Sequence, residues 1–148
     1  FQLKDMKKDI MYLQASCSIP MFANIVEVDG YKLVDGGVSD SIPIEYALKQ
    51  GCNKNIVVLT RDRTYRKRKY KKYPKLVKSI ENRHLNYNKS LDLIKSLEEK
   101  EEVFVIRPKS PVKVSQVEKN KDKLIALYND GYNDAKDSYE KIIEFINK

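Results

Sequence analysis

Two short unbroken apolar runs, Ile56-Val57-Val58-Leu59 and Val103-Phe104-Val105-Ile106, constrain this chain more than any other feature. A strand with one wet face alternates apolar and polar residues. An unbroken run of four predicts cover on both faces, as in a parallel sheet beneath helices. The residues between the runs carry helical spacing: Leu76, Val77 and Ile80 after Pro74, then Leu91, Ile94 and Leu97 within residues 88–99. Parallel strands require such a crossover. The strands are expected at residues 55–60 and 103–106, and helix alternating with buried strand predicts an α/β fold. With 148 residues, the chain fits one domain or part of a larger one and can bury a core.

Upstream, Met6, Ile10 and Leu13 give residues 4–14 one apolar helical face, and Pro20 ends any helix there. Ile25-Val26-Glu27-Val28 and Tyr31-Lys32-Leu33-Val34 flank Asp29-Gly30, a pair suited to the type I′ turn of a hairpin. Asp35-Gly36-Gly37 follows directly. Ser41 is the expected N-cap of a helix through Lys49, with Pro43 in its first turn and Gly51 in left-handed conformation after its end. Beyond the second run, Ser115-x-x-Glu118 reads as a capping box. Leu124, Tyr128, Tyr132, Ala135, Tyr139, Ile142 and Ile146 then keep helical spacing, with Gly131 placed to break or bend that helix. Such a stripe usually packs on its own domain; the alternative is a partner surface on a non-catalytic protein.

The net charge of +8 is local. Residues 61–72 hold eight of the 29 basic residues and one of the 21 acidic ones, which leaves 21 against 20 elsewhere. Arg61, Arg63, Arg66, Lys67, Arg68, Lys69, Lys71 and Lys72, interleaved with Tyr65 and Tyr70, form one basic loop. Charge runs are most often solvated. Contact with an anionic membrane comes second, and phosphate contact with nucleic acid third, since no nucleic-acid motif is present. Cys17, Cys52 and the single His84 make a poor zinc set, so no metal or cofactor is expected. The cysteines read as reduced, packed thiols of a cytoplasmic protein, and His84 as a surface residue. No apolar run is long enough to span a bilayer.

Asp35 is the candidate base. An acid at a strand end, followed by two glycines, has its carboxylate on a rigid element and room for close backbone approach. Taken alone, the triplet more often marks a turn in which the aspartate accepts backbone N–H groups. Its flanks add more. Ala15-Ser16-Cys17-Ser18-Ile19-Pro20, the Asp29-Gly30 hairpin, Asp35-Gly36-Gly37 and Asp40-Ser41-Ile42-Pro43 resemble the patatin-like phospholipase family in order and spacing over residues 15–60.

The resemblance implies a serine lipid acyl hydrolase with a Ser–Asp dyad. Its fold would be the C-terminal portion of a three-layer α/β/α domain, residues 1–110, with a helical extension, residues 111–148, packed on it. Asp35 matches the family's base, supported by Gly36 and Gly37. The family's G-x-S-x-G nucleophile and Gly-rich oxyanion loop are absent from these 148 residues. Gly37-Val38-Ser39-Asp40-Ser41 lacks the last glycine of the nucleophile elbow, so Ser39 reads as a loop residue. Ser16 and Ser18 read as small packed residues. The serine is therefore expected on an N-terminal portion of the same polypeptide, and this segment is expected to be inactive alone. The implied partner is an acyl lipid or ester substrate, with peripheral contact at an anionic membrane. The rival reading is a binding module that docks acidic lipid or nucleic acid through residues 61–72.

Overall fold

The computed structural model describes residues 4–20, 22–68, 82–115 and 117–148. They form two compact units, the first within residues 1–43 and 68–89 and the second within 44–67 and 90–148. The architecture is mixed α/β, with small sheets and helices.

In the first unit, helix α1 (Ile10–Ser16) packs on a hairpin of β1 (Val26–Val28) and β2 (Tyr31–Leu33). The strands pair antiparallel with Val26 opposite Leu33 and Val28 opposite Tyr31. Asp29 and Gly30 have φ of 50° and 79°, the two positive values that the predicted type I′ turn demands. Ala15 and Val26 are buried. Helix α1 begins later than its apolar spacing predicts. The Asp9 carboxylate accepts the backbone N–H groups of Lys4 at 2.7 Å and Asp5 at 3.0 Å, so those residues turn over a side chain instead of starting a helix.

The second unit opens with helix α2 (Ile44–Lys49). Its end is the predicted glycine cap: Gly51 has φ 81°, its N–H reaches the Leu48 carbonyl at 3.0 Å, and Cys52 N–H reaches Ala47 at 3.1 Å. Its start differs from expectation. Ser41 is not the N-cap, because its hydroxyl donates to the Gly37 carbonyl, and the helix begins only at Ile44.

Strands β3 (Asn55–Val58) and β4 (Val103–Ile106) pair in parallel, Asn55 opposite Val103 and Val58 opposite Ile106, and the Leu59 N–H extends the ladder to Ile106. Parallel pairing is as predicted, but cover on both faces is not. Val57 is 9% exposed, whereas Ile56 is 44% and Val58 68% exposed, so one apolar face of β3 is uncovered. Within this unit the buried residues are Ile44, Val57, Leu59, Ile94, Leu97 and Val103.

Helix α3 (Arg83–Glu99) starts ahead of residue 88, where spacing placed it, and the stretch expected after Pro74 lies outside the described residues. Helix α4 (Lys121–Asn147) is a single 27-residue helix, about 40 Å long at 1.5 Å per residue. Gly131 does not break it. Its N-cap is Asn120, which accepts the Lys123 N–H at 3.0 Å, not the predicted Ser115 box. Glu118 is occupied instead by the Lys119 and Asn120 N–H groups, each at 3.0 Å. Helix α4 packs on β4, with the Phe145 and Phe104 rings 5.9 Å apart. The predicted stripe divides: Ile142 is half-buried, while Tyr128, Tyr132 and Tyr139 face outward. Among the described residues, no helix is long and apolar enough to cross a membrane.

Candidate active site

Asp35 stands two residues past β2, at the entrance of a 3-10 turn formed by Gly36–Val38. Its backbone N–H donates to the Ser18 carbonyl at 2.9 Å, which ties the strand exit to the segment leaving α1. Ser18 is buried and its hydroxyl donates to the Gln14 carbonyl at 2.9 Å, so it is a packed residue, as expected. Ser16 is exposed.

The Asp35 side chain is half-buried. Oδ1 accepts the Gly37 N–H at 2.7 Å, while Oδ2 accepts no hydrogen bond from the described residues. Gly37 holds the turn from the other side. Its carbonyl accepts Ser41 Oγ at 2.9 Å and also the Arg83 Nε–H. A Cβ on Gly37 would stand 2.9 Å from Asp35 Oδ1, 3.5 Å from Arg83 Nη2 and 3.6 Å from Ser41 Oγ. The carboxylate, guanidinium and hydroxyl therefore surround one point, where an added Cβ would crowd Asp35 Oδ1 and touch the other two at ordinary contact distance. Gly36 is different: the nearest atom to its Cβ position is Ser16 Oγ, 4.0 Å away. Arg83 and the constraining role of Ser41 escaped the sequence reading. Arg83 lies 46 positions from Gly37, and no local pattern marks it.

Ser39 is an exposed turn residue whose hydroxyl donates to the Gly36 carbonyl at 3.1 Å. Cys17 and Cys52 are free thiols, as expected, but both are exposed rather than packed. Cys17 caps the short helix α1, and Cys52 follows the glycine cap of α2, positions at the surface ends of helices. His84 is half-buried on α3. Among the described residues, no three His, Cys, Asp or Glu side chains gather as a metal cluster.

The basic segment is partly neutralised. Arg63 pairs with Glu98 at 3.5 Å and Arg66 with Asp92 at 2.6 Å, both on α3, and Glu98 also holds Arg107 at 2.5 Å. Arg61 lies over the Tyr65 ring, 5.2 Å from its centroid. Arg68 is exposed and Lys67 half-buried. Lys69, Lys71 and Lys72 lie outside the described residues. Both paired arginines remain more than half exposed, so these are surface ion pairs within a solvated segment.

A family model described as patatin-like phospholipase matches residues 9–48, the stretch in which Asp35 lies, and it supports a lipid-hydrolase family at the coarse level. A second, described as a domain of unknown function, DUF6363, matches residues 73–147, just over half of the chain. No curated protein matches. The chain thus belongs to the DUF6363 family, and ahead of that match it carries a segment similar to the patatin-like phospholipases.

Proposed function

We propose that this chain supplies the general base of a patatin-like serine acyl hydrolase, with Asp35 as the base and a G-x-S-x-G serine contributed from outside residues 1–148. The observation that carries this reading is the asymmetry of the Asp35 carboxylate: Oδ1 is fixed by the Gly37 N–H, and Oδ2 accepts no hydrogen bond among the described residues. An ordinary turn aspartate shares the first half of that description, so the match at residues 9–48 is the second support.

In this reading Oδ2 takes the proton of the serine hydroxyl as its oxygen attacks the ester carbonyl. The tetrahedral oxyanion collapses to an acyl-serine, and the departing alcohol oxygen receives the proton from Asp35. Water then repeats the cycle, with Asp35 again the base, and releases the carboxylic acid. General base catalysis contributes about 10²–10⁴-fold, and oxyanion donors supply a further large part of the acceleration. Residues 1–110 would complete a three-layer hydrolase domain with the serine-bearing portion, and residues 111–148 would lie on it as a helical segment. Substrate would be an acyl ester met at a membrane surface in the cytoplasm.

The test is Asp35→Asn in the protein that carries the serine, assayed with a fluorogenic fatty-acyl ester. Asparagine still accepts the Gly37 N–H, so the circular dichroism spectrum should be unchanged while turnover falls by about 10³-fold or more. Wild-type turnover in that variant would remove Asp35 from the chemistry.

A further inference from the structure

Two adjoining grooves of about 420 and 760 Å³ lie within the second unit. Both lie between residues 108–115 and the N-terminal half of α4, and the smaller one also reaches the carboxyl ends of β3 and β4. Both volumes fall in the range of small-molecule sites, and the carboxyl ends of parallel strands are where open α/β sheets take ligands. Lys109 ties the overlying segment to the helix, pairing with Asp137 at 2.6 Å and Asp134 at 3.5 Å.

The smaller groove is walled by Val58, Leu59, Ile106, Val112, Leu124 and Leu127. Its charged residues are of two kinds. Arg107 is held by Glu98, and Asp134 by Lys109. Arg61, by contrast, makes no hydrogen bond or ion pair among the described residues; it lies over the Tyr65 ring and acts on Asp62 through charge alone. The groove is thus a mostly apolar trough with one guanidinium at its margin that, among the described residues, has only the charge of the adjacent Asp62 and the Tyr65 ring beside it.

Gly131 lines both grooves. In the interior of a helix, glycine costs about 1 kcal/mol relative to alanine, and packing gives no return here, since nothing stands within 4 Å of its Cβ position. What glycine does provide is an open floor where a side chain would intrude.

We propose that this groove binds a single-chain amphiphile with an anionic head, of the long-chain fatty acid class. The chain lies along Val58, Ile106 and Leu127 above Gly131, and the carboxylate meets Arg61. A neutral lipid would leave Arg61 without a purpose, and a bare phosphate would leave the apolar walls without one. The site uses no residue of the Asp35 turn, so it stands or falls separately from the hydrolase reading.

The test titrates the full-length protein with cis-parinarate by fluorescence, with displacement by oleate and by oleyl alcohol. Oleate should displace the probe saturably below its aggregation concentration. Arg61→Gln should weaken oleate about tenfold, the scale of one charge-assisted hydrogen bond, and leave oleyl alcohol unchanged. Gly131→Leu should abolish displacement by both while helix content is retained. Val112→Phe, which closes the groove from the opposite wall, should do the same if the helix variant folds poorly. Absent saturable displacement, oleate binding unaltered in both groove-filling variants, or equal loss of acid and alcohol in Arg61→Gln would each overturn the proposal. So would binding to phosphatidylglycerol vesicles that persists in the groove-filling variants without any oleate binding, which would assign Arg61 to a membrane surface.

Discussion

The Gly37 N–H and the Asp35 carboxylate are joined by a 2.7 Å hydrogen bond, and a methyl group at Gly37 would sit 2.9 Å from the same oxygen. The atom that must give way is the tip of one side chain, not backbone. Gly37→Ala should therefore leave the melting temperature almost unmoved while turning the carboxylate out of position. In the serine-bearing protein, esterase kcat should fall about 10²-fold, the scale of a 1 Å misplacement. Gly36→Ala, with no neighbour nearer than 4.0 Å, is the control and should retain activity. Equal behaviour of the two variants would show that Gly37 does not position Asp35.

The Gly37 carbonyl collects two donors, Arg83 Nε and Ser41 Oγ. Arg83→Met should lower stability by about 1.5 kcal/mol, the range for a hydrogen bond to a charged group, read as a shift in urea midpoint. Because both donors share one acceptor, each single variant leaves the carbonyl a partner, so the double variant with Ser41→Ala should lose more than the sum of the single losses. Strict additivity would mean that the two bonds act independently.

The Tyr12 hydroxyl donates to the Asp29 carboxylate, and that bond pushes the phenol from 10.0 up to about 12. A raised value means the folded protein keeps a proton that the unfolded chain gives up. The bond's contribution to stability is thus complete below pH 10.0 and is lost as pH rises through about 12. Comparing Tyr12→Phe with the parent by urea unfolding should show a constant difference up to pH 10.0 that shrinks above it. A difference that persisted unchanged at pH 11.5, on the order of one unit above the ordinary tyrosine value, would assign the shift elsewhere.

Helix α3 closes through Glu101 at φ 57°, with the Glu101 N–H on the Glu98 carbonyl at 3.1 Å and the Glu102 N–H on Leu97 at 2.9 Å. This is the helix ending that glycine favours, carried by a residue with a Cβ. Glu101→Gly should raise stability by about 1 kcal/mol by relieving the left-handed backbone. The pair with Lys148 that it forfeits is exposed on both sides and worth little. A lowered thermal midpoint in the variant would show that the pair outweighs the strain.

Much of the local structure was legible in the chain. Asp29-Gly30 specifies its turn because both residues tolerate positive φ, and Gly51 ends α2 for the same reason. The apolar runs at residues 56–59 and 103–106 specify strands, and their separation by a helix specifies parallel pairing. Legibility failed where a side chain chose a distant or competing partner. Asp9 draws the amides that would start α1, Ser41 turns to Gly37 instead of capping α2, and Asn120 displaces Ser115 as the cap of α4. Each segment offers several residues that could cap or donate, and sequence spacing alone does not rank them.

The candidate site divides along the same line. The sequence by itself determined that Asp35 would stand at a strand end with glycines after it, because hairpin register and turn chemistry are local and need only neighbouring residues. Only the tertiary structure decided which carboxylate oxygen takes the Gly37 N–H, that Arg83 closes on Gly37, and that Gly131 lines a groove from within an unbroken helix. Those outcomes depend on side chains meeting across long loops, and the free energy that selects among such meetings comes from packing and shared hydrogen bonds that exist only once the chain has folded.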